Sequence, residues 1–270
     1  MVSVLTLNLS RPPRERAARL LEYLWNRDEE VLVLTECAVG EGSALVESVC
    51  RAAGFAVASS LTGPDGRRLS GRSRSALGVI VVARGVAPGG LRRGDRPGPD
   101  GFAERVLSVD LVGPDGPLRL VGIYGAASDP VRYASAAQRQ RKREWLFAFC
   151  TWVAALPPVP TVLVGDLNIV APGHLANLPY VLVEERTAYD LLTGGLGYRD
   201  PLAGDPEPTW VDHSGAGCRY DFVLTGAPIP VGECAIDHTP RLTGLSDHAA
   251  LSWSAPWPTG LVIPRRSSEG

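Results

Sequence analysis

Thr161-Val-Leu-Val-Gly-Asp166-Leu-Asn168 sets the frame for the rest of the chain. Its apolar and β-branched positions read as a fully buried strand, which stops at glycine and delivers a carboxylate and an amide to the strand's mouth. Gly, Asp and Asn also favour turns through local hydrogen bonds, so the tetrapeptide alone is equally a plain turn. Its company decides between the two. Val2-Ser-Val-Leu-Thr-Leu-Asn8 ends in an amide, Val31-Leu-Val-Leu-Thr-Glu36 in a carboxylate, and Leu118-Arg-Leu-Val-Gly-Ile-Tyr124 in a phenol. Arg219-Tyr-Asp221-Phe-Val-Leu and Ser246-Asp247-His248-Ala-Ala-Leu-Ser-Trp carry their polar groups at strand beginnings. Between antiparallel neighbours, the end of one strand lies beside the start of the next. All six polar termini therefore fit one rim.

The rest of the chain reads as a scaffold for that rim. Pro12-Pro13 opens a helix with Ala17, Leu20, Leu21 and Leu24 on one face, and Leu45, Val46, Val49, Cys50 and Ala53 mark a second. A turn at Gly63-Pro64-Asp65-Gly66 precedes a strand from Ala76 to Val82, and residues 85–101, rich in Gly, Pro and Arg, read as an exposed loop. Phe102 to Val112 and Leu118 to Tyr124 form a hairpin around Gly113-Pro114-Asp115-Gly116. The longest helix is expected over 134–155, with Ala137, Leu146, Phe149, Cys150 and Val153 buried. Its run Gln138-Arg-Gln-Arg-Lys-Arg143 is either a phosphate-facing stripe or a solvated helix face, the latter being the commoner case. Ala188 to Leu192 suggests a short helix, with strands near Thr209-Trp210, Tyr220 to Leu224 and Ala249 to Trp253. Hairpins among irregularly alternating elements argue against a purely parallel sheet. A mixed sheet covered by helices, or two sheets packed face to face with helices outside, accommodates them.

At 270 residues and 45% hydrophobic content the chain can bury one large core, and no repeat or low-complexity linker divides it. One domain is expected over 1–255, followed by a disordered tail over 256–270. A formal charge of −2 excludes a strongly basic nucleic-acid coat but not a nucleic-acid substrate met by positive charge on one face. Five cysteines without a CxxC pair read as buried free thiols of a reducing compartment. With no basic leader and no run of roughly 18 apolar residues, a cytoplasmic protein without membrane attachment is expected.

The rim gathers two amides (Asn8, Asn168), four carboxylates (Glu36, Asp166, Asp221, Asp247), an imidazole (His248) and a phenol (Tyr124). Oxygen donors without thiolates form a hard set suited to Mg²⁺ or Mn²⁺. A hard divalent ion beside a base and a histidine is equipment for displacement at phosphorus. Trp210 reads as a stacking platform or a core residue, and His213 as a surface-loop histidine or a substrate contact. His174 and His238 receive no role.

Asn8, Leu34-Thr35-Glu36, Gly165-Asp166-Leu167-Asn168, Arg219-Tyr220-Asp221 and Ser246-Asp247-His248, in this order, resemble the motifs of the endonuclease/exonuclease/phosphatase superfamily. Tyr124, Gly165 to Ile169, Glu184-Glu185-Arg186 and Thr209-Trp210 look most like its exonuclease III branch of DNA-repair nucleases. The resemblance implies a four-layer α/β sandwich and a Mg²⁺-dependent phosphodiesterase acting on DNA as a monomer. By the same resemblance, Glu36 holds the metal with Asn8 in support, and Asp247 is a ligand of the same or a second ion. Asp166 orients or deprotonates water, Asn168 hydrogen-bonds the phosphate, Tyr124 contacts the phosphate or helps the leaving group, and His248 stabilises the developing charge with Asp221 fixing the ring. The chain departs from the family at Ser10-Arg11, where an Asn or Asp and then glycine are usual, at Ala38 in place of lysine, and at Gly125-Ala126-Ala127, which lack polar side chains for DNA. The same chemistry on a small phosphoester, or a catalytically silent binding module, are the competing expectations.

Overall fold

The computed structural model describes residues 1–63, 65, 67–69, 76–84, 90–94, 96–113, 116–128, 136–174, 181–212 and 215–258. In chain order the elements are β1 (Val2–Asn8), α1 (Arg14–Trp25), β2 (Val31–Ala38), α2 (Glu41–Ala52), β3 (Ala56–Ser59), β4 (Leu77–Ala83) and β5 (Leu91–Arg93). They continue with β6 (Val106–Gly113), β7 (Gly116–Tyr124), α3 (Ala136–Ala154), β8 (Thr161–Asp166), α4 (Val183–Asp190), β9 (Trp210–Val211) and β10 (Gly217–Cys218). The last are β11 (Asp221–Thr225), β12 (Glu233–Asp237), α5 (Thr239–Leu242) and β13 (Ala250–Ala255).

Two mixed sheets face one another. One has the order β12-β13-β1-β2-β4-β3, the other β11-β8-β7-β6-β5, and β9 and β10 form a separate ribbon. Strand period decides what each face carries. Along β1, Val2 and Val4 point into the space between the sheets, while Leu5 and Leu7 point outward onto α1 and α2. On the second sheet Val162 and Val164 of β8 face inward, and Leu163 packs outward against Trp145 and Phe149 of α3. The result is the four-layer α/β sandwich that the motifs implied. The sheets are tightly seated: a Cβ added at Gly122 of β7 would stand 2.7 Å from Val79 and 3.1 Å from Val33 of the opposite sheet.

The same alternation builds the site. Following Val2 and Val4 by two-residue steps along β1 leads to Asn8; following Val162 and Val164 leads to Asp166. Register puts Tyr124 beside Asp166 through the parallel β7–β8 pair, and Asp221 beside Asp166 through the antiparallel β8–β11 pair. Polar residues at strand ends thus meet at one end of the sandwich for the same reason that apolar ones fill its middle.

Several expectations need correcting. Leu91–Arg93 form a short edge strand inside the stretch read as a loop, pairing with Leu111 to Val109 of β6. Three residues flanked by Gly, Pro and Arg leave no strand periodicity to read. The first strand of the hairpin starts at Val106 rather than Phe102, after a 3₁₀ turn at Ala103–Arg105. Ala53 and Ala137 are exposed, whereas α3 buries Trp145, Trp152 and Lys142. The short helix begins earlier, at Val183, and passes into a π turn at Leu191–Gly195. The expected turns at 63–66 and 113–116 fall partly, and residues 134–135, His213 and the tail from 259 fall wholly, outside the described residues. Trp257 lies against β6, where a Cβ on Gly113 would come within 2.1 Å of its ring. All five cysteines are free, and burial pushes the thiols of Cys50 and Cys150 up to about 11. No helix of the described residues is long and apolar enough to cross a membrane.

Candidate active site

A cleft of about 500 Å³ opens where the strand ends converge. Glu36, Tyr124, Asp166, Asn168, Asp247 and His248 line it, and Asn8 and Asp221 lie beneath as fully buried supports. All eight residues singled out in the sequence are therefore brought together.

Asp166 is the centre of the hydrogen bonding. Its Oδ2 accepts from Asn8 Nδ2 at 2.9 Å, across the gap between the sheets, and from Asn168 Nδ2 at 3.0 Å. Its Oδ1 accepts from the Asn168 backbone N–H at 2.9 Å. Gly165 makes room for this geometry: its φ is +135°, and a Cβ there would meet the Ile123 carbonyl at 2.2 Å. Burial, reinforced by the charge of Asp221, pushes the Asp166 carboxyl up to about 7 against the opposing pull of His248 and the amides. A carboxylate with that value gives up and takes protons readily near neutral pH.

His248 Nδ1 lies 2.8 Å from Asp221 Oδ2, with side-chain exposures of 6% and 0%. The second oxygen, Asp221 Oδ1, is buried without a hydrogen-bond partner. Burial pulls the imidazole down, but Asp221, Asp166 and Asp247 together outweigh it and raise His248 to about 10. The ring is thus an imidazolium at neutral pH. Its backbone is pinned too, since His248 N–H donates to Ser246 Oγ at 3.0 Å and that hydroxyl donates to the Asn8 carbonyl at 2.6 Å.

Tyr124 is held protonated well above the usual phenol range, by burial first and then by Glu36 and Asp166. Arg105 stacks over its ring at 4.9 Å and donates to the Tyr124 and Gly125 carbonyls. Asp247 accepts from the Ser10 hydroxyl and from Trp210 Nε1, the latter at 3.4 Å. Against the effect of burial, His248 and these donors keep its carboxyl below the ordinary range. Trp210 itself is half-buried, packed on Tyr220 at 5.6 Å while lining the cleft.

Glu36 and Asp247 supply carboxylates, and Asn8 an amide oxygen that already accepts from Ser10 N–H at 2.8 Å. Among the described residues no three His, Cys, Asp or Glu side chains converge to cage an ion. That donor set fits Mg²⁺, which keeps several waters and takes one or two carboxylates plus substrate oxygens, and it does not fit zinc.

Sequence reasoning missed the supports. Lys142, read within a basic helix face, is 3% exposed and forms a 2.6 Å ion pair with Glu185 Oε1. Glu185 also accepts from Leu182 and Val170 N–H, which ties the loop following Asn168 to α3 and α4. Within the same run Arg143 pairs with Glu184, Gln138 bonds the Ala127 carbonyl, and Arg141 reaches the cleft. A lysine three residues before Trp145 on the buried face was the one signal available. His174 contacts the Asp205 carbonyl at 3.1 Å, and His238 pairs with Glu207.

No family model and no curated protein sequence matches the chain. Solved structures do match. The 3′-5′ exonuclease NExo from Neisseria meningitidis shares 21% identity at a TM-score of 0.71, with 95% of this chain and 100% of that one covered. A structure of Neisseria NExo described as a 3′ phosphatase, bound to a product DNA hairpin, gives 0.70 at 21% identity over the same shares. The AP endonuclease LMAP from Leishmania major gives 0.61 at 18% identity, covering 95% of this chain and 88% of that one. At such identities the likeness is one of fold, which this chain shares with a 3′-5′ exonuclease and an AP endonuclease.

Proposed function

We propose that the chain is a divalent-metal-dependent phosphodiesterase that cuts DNA, as an endonuclease or a 3′-exonuclease. One observation carries this reading: Asp166, fixed by an amide from each side, shares a single cleft with the buried His248–Asp221 pair and the carboxylates of Glu36 and Asp247. Arg11, Arg105 and Arg141 on the cleft walls suit a polyanion.

Glu36, with Asp247 and Asn8 nearby, would hold Mg²⁺ or Mn²⁺, which supplies neutralisation of a phosphate oxygen. The protein groups do the rest. Asp166 accepts a proton from the attacking water and orients it, its two amide partners holding the oxygen that is not engaged. His248, charged through Asp221, donates from Nε2 to the phosphate as negative charge accumulates on it, a fixed donor that needs no reorganisation during the reaction. Tyr124, kept protonated, donates a further hydrogen bond, and Asn168, whose amide hydrogens go to Asp166 and the Gly125 carbonyl, holds Asp166 against the lip of the cleft.

The lip after Tyr124 favours a second reading. Gly125 turns its carbonyl to Asn168 and Arg105, Ala126 is buried, and Ala127 offers its carbonyl to Gln138, so no polar side chain from this segment reaches a long substrate. A cleft of this size also suits a small phosphoester.

Initial rates on an abasic-site duplex, single-stranded DNA, a DNA hairpin ending in a 3′ phosphate and bis-p-nitrophenyl phosphate, with Mg²⁺ or EDTA, separate the two readings. DNA cleavage that needs metal and falls about 10³-fold in Asp166→Ala is expected. Turnover of the small ester alone would favour the second, and no turnover of any substrate would remove both.

A further inference from the structure

Among the described residues, four non-glycine residues have positive φ: Ser10 (51°), Arg11 (50°), Glu36 (50°) and Asn168 (52°). That conformation suits glycine, is tolerated by Asn, and opposes most other residues with a Cβ. Arg11 takes this conformation with one of the largest side chains in the chain's repertoire. A large side chain held at a disfavoured position calls for a use.

The geometry shows what it is used on. Arg11 Nε lies 2.9 Å from Glu36 Oε1, and Arg11 N–H donates to the Glu36 carbonyl at 3.1 Å. The turn beneath is fastened by Asn8 Oδ1, by the Ser10 hydroxyl on Asp247 and by Arg16 on the Ser10 carbonyl. The turn is fixed, but the guanidinium at its end is not: the Arg11 side chain is 59% exposed and the Glu36 side chain only 13%. Of the two, Arg11 is the one able to leave. A guanidinium matches phosphate as well as carboxylate, through paired N–H donors in one plane.

We propose that Arg11 is an exchangeable counter-ion, neutralising Glu36 until a divalent cation takes that carboxylate, and then binding a phosphate of the substrate. The proposal rests on the reading of Glu36 as the metal carboxylate. Two carboxylates facing an empty cleft repel a polyanion; with Arg11 in place that repulsion is offset, and once displaced the same charge attracts. Metal and substrate binding are thereby coupled, each favouring the other by the same factor.

The test measures binding, not turnover. Mn²⁺ is titrated into the wild type, Arg11→Ala, Arg11→Lys and Glu36→Gln, with free Mn²⁺ followed by electron paramagnetic resonance. Binding of a fluorescent DNA hairpin is measured by anisotropy in an Asp166→Asn background, with and without Mn²⁺. Arg11→Ala should bind Mn²⁺ about three- to fivefold more tightly, the gain from losing an exposed ion-pair competitor. The same variant should bind the hairpin about tenfold more weakly when Mn²⁺ is present. Arg11→Lys should fall between. Opposite signs are the signature, because a merely structural role would weaken both. If Glu36→Gln abolishes Mn²⁺ binding while Arg11→Ala leaves it unchanged or weaker, the exchange is wrong and the metal site stands. If Glu36→Gln binds Mn²⁺ like the wild type, the metal assignment itself fails.

Discussion

Two histidines in this molecule make the same bond in opposite surroundings. His248 meets Asp221 at 2.8 Å with side-chain exposures of 6% and 0%; His238 meets Glu207 at 2.7 Å with exposures of 22% and 49%. Distance cannot tell them apart. Water can, since solvent screens the second pair and competes for both of its partners, while the first is almost wholly shielded and only its outer edge meets the cleft. The buried pair is also asymmetric in its neighbours. His248 has carboxylates at Asp166 and Asp247 as well as Asp221, so its proton is held by several charges at once. In the proposed mechanism, the bond serves catalysis through what is excluded from its surroundings.

The largest effect should come from breaking the buried pair. Asp221→Ala leaves an imidazole among the remaining carboxylates without its closest partner and should cost about 3–5 kcal/mol in denaturant unfolding. The rate should fall by about 10³-fold, as expected when a preorganised donor is lost from a reacting phosphate. An Asp221→Ala protein as stable as the wild type would end the distinction between the two pairs.

The pH profile sharpens the same contrast. Activity should rise as Asp166 ionises near 7 and fall as His248 loses its proton near 10. The sign for stability follows from the raised value at His248. Its contribution is complete below the ordinary imidazole value of 6.5 and fades as pH climbs through about 10. His238→Ala should leave both limbs of the rate profile where they are. Movement of either limb in that variant would show that the two sites communicate.

The smallest effect should be on stability at the exposed pair, where His238→Ala should shift unfolding by no more than about 0.5 kcal/mol. A loss comparable to that of Asp221→Ala would mean that burial is the wrong explanation for the difference.

The rim was legible because strand period is rigid. Asn8, Tyr124, Asp166 and Asp221 sit at the ends of apolar runs, and a two-residue repeat carried to its end predicts which face each occupies. Glu36 breaks the repeat: Leu32 and Leu34 face outward, and the irregularity between Leu34 and Cys37, with φ of +50° at Glu36, turns its side chain to the cleft. Ordered motifs then supplied the layers. Long-range partners left no such trace. Arg219 and Asp200 form an ion pair at 2.7 Å with 1% and 2% exposure, and nothing in either local sequence announces it. Lys142 looked like part of a charged helix face because its neighbours Arg141 and Arg143 do face outward; only the arrival of Glu185 from α4 shows that one turn points inward. Arg11 was legible as a departure from a pattern, but its use required knowing that the turn carries it onto Glu36. Periodicity reports faces, and pairs between distant segments are made by the fold.

Asn8 and Asp166 belong to different sheets, and between those sheets the contacts in the middle of the sandwich are apolar side chains such as Val4, Val33, Val121's neighbour Leu120, and Val164. Apolar contacts depend little on direction, whereas the 2.9 Å hydrogen bond from Asn8 to Asp166 depends on both distance and angle. The amide therefore works as an alignment gauge for the two halves. Conditions that disturb this alignment without opening the core, such as mild denaturant, should silence the proposed activity while the tryptophans still report a folded protein, so that failure of function would arrive as an early warning ahead of collapse.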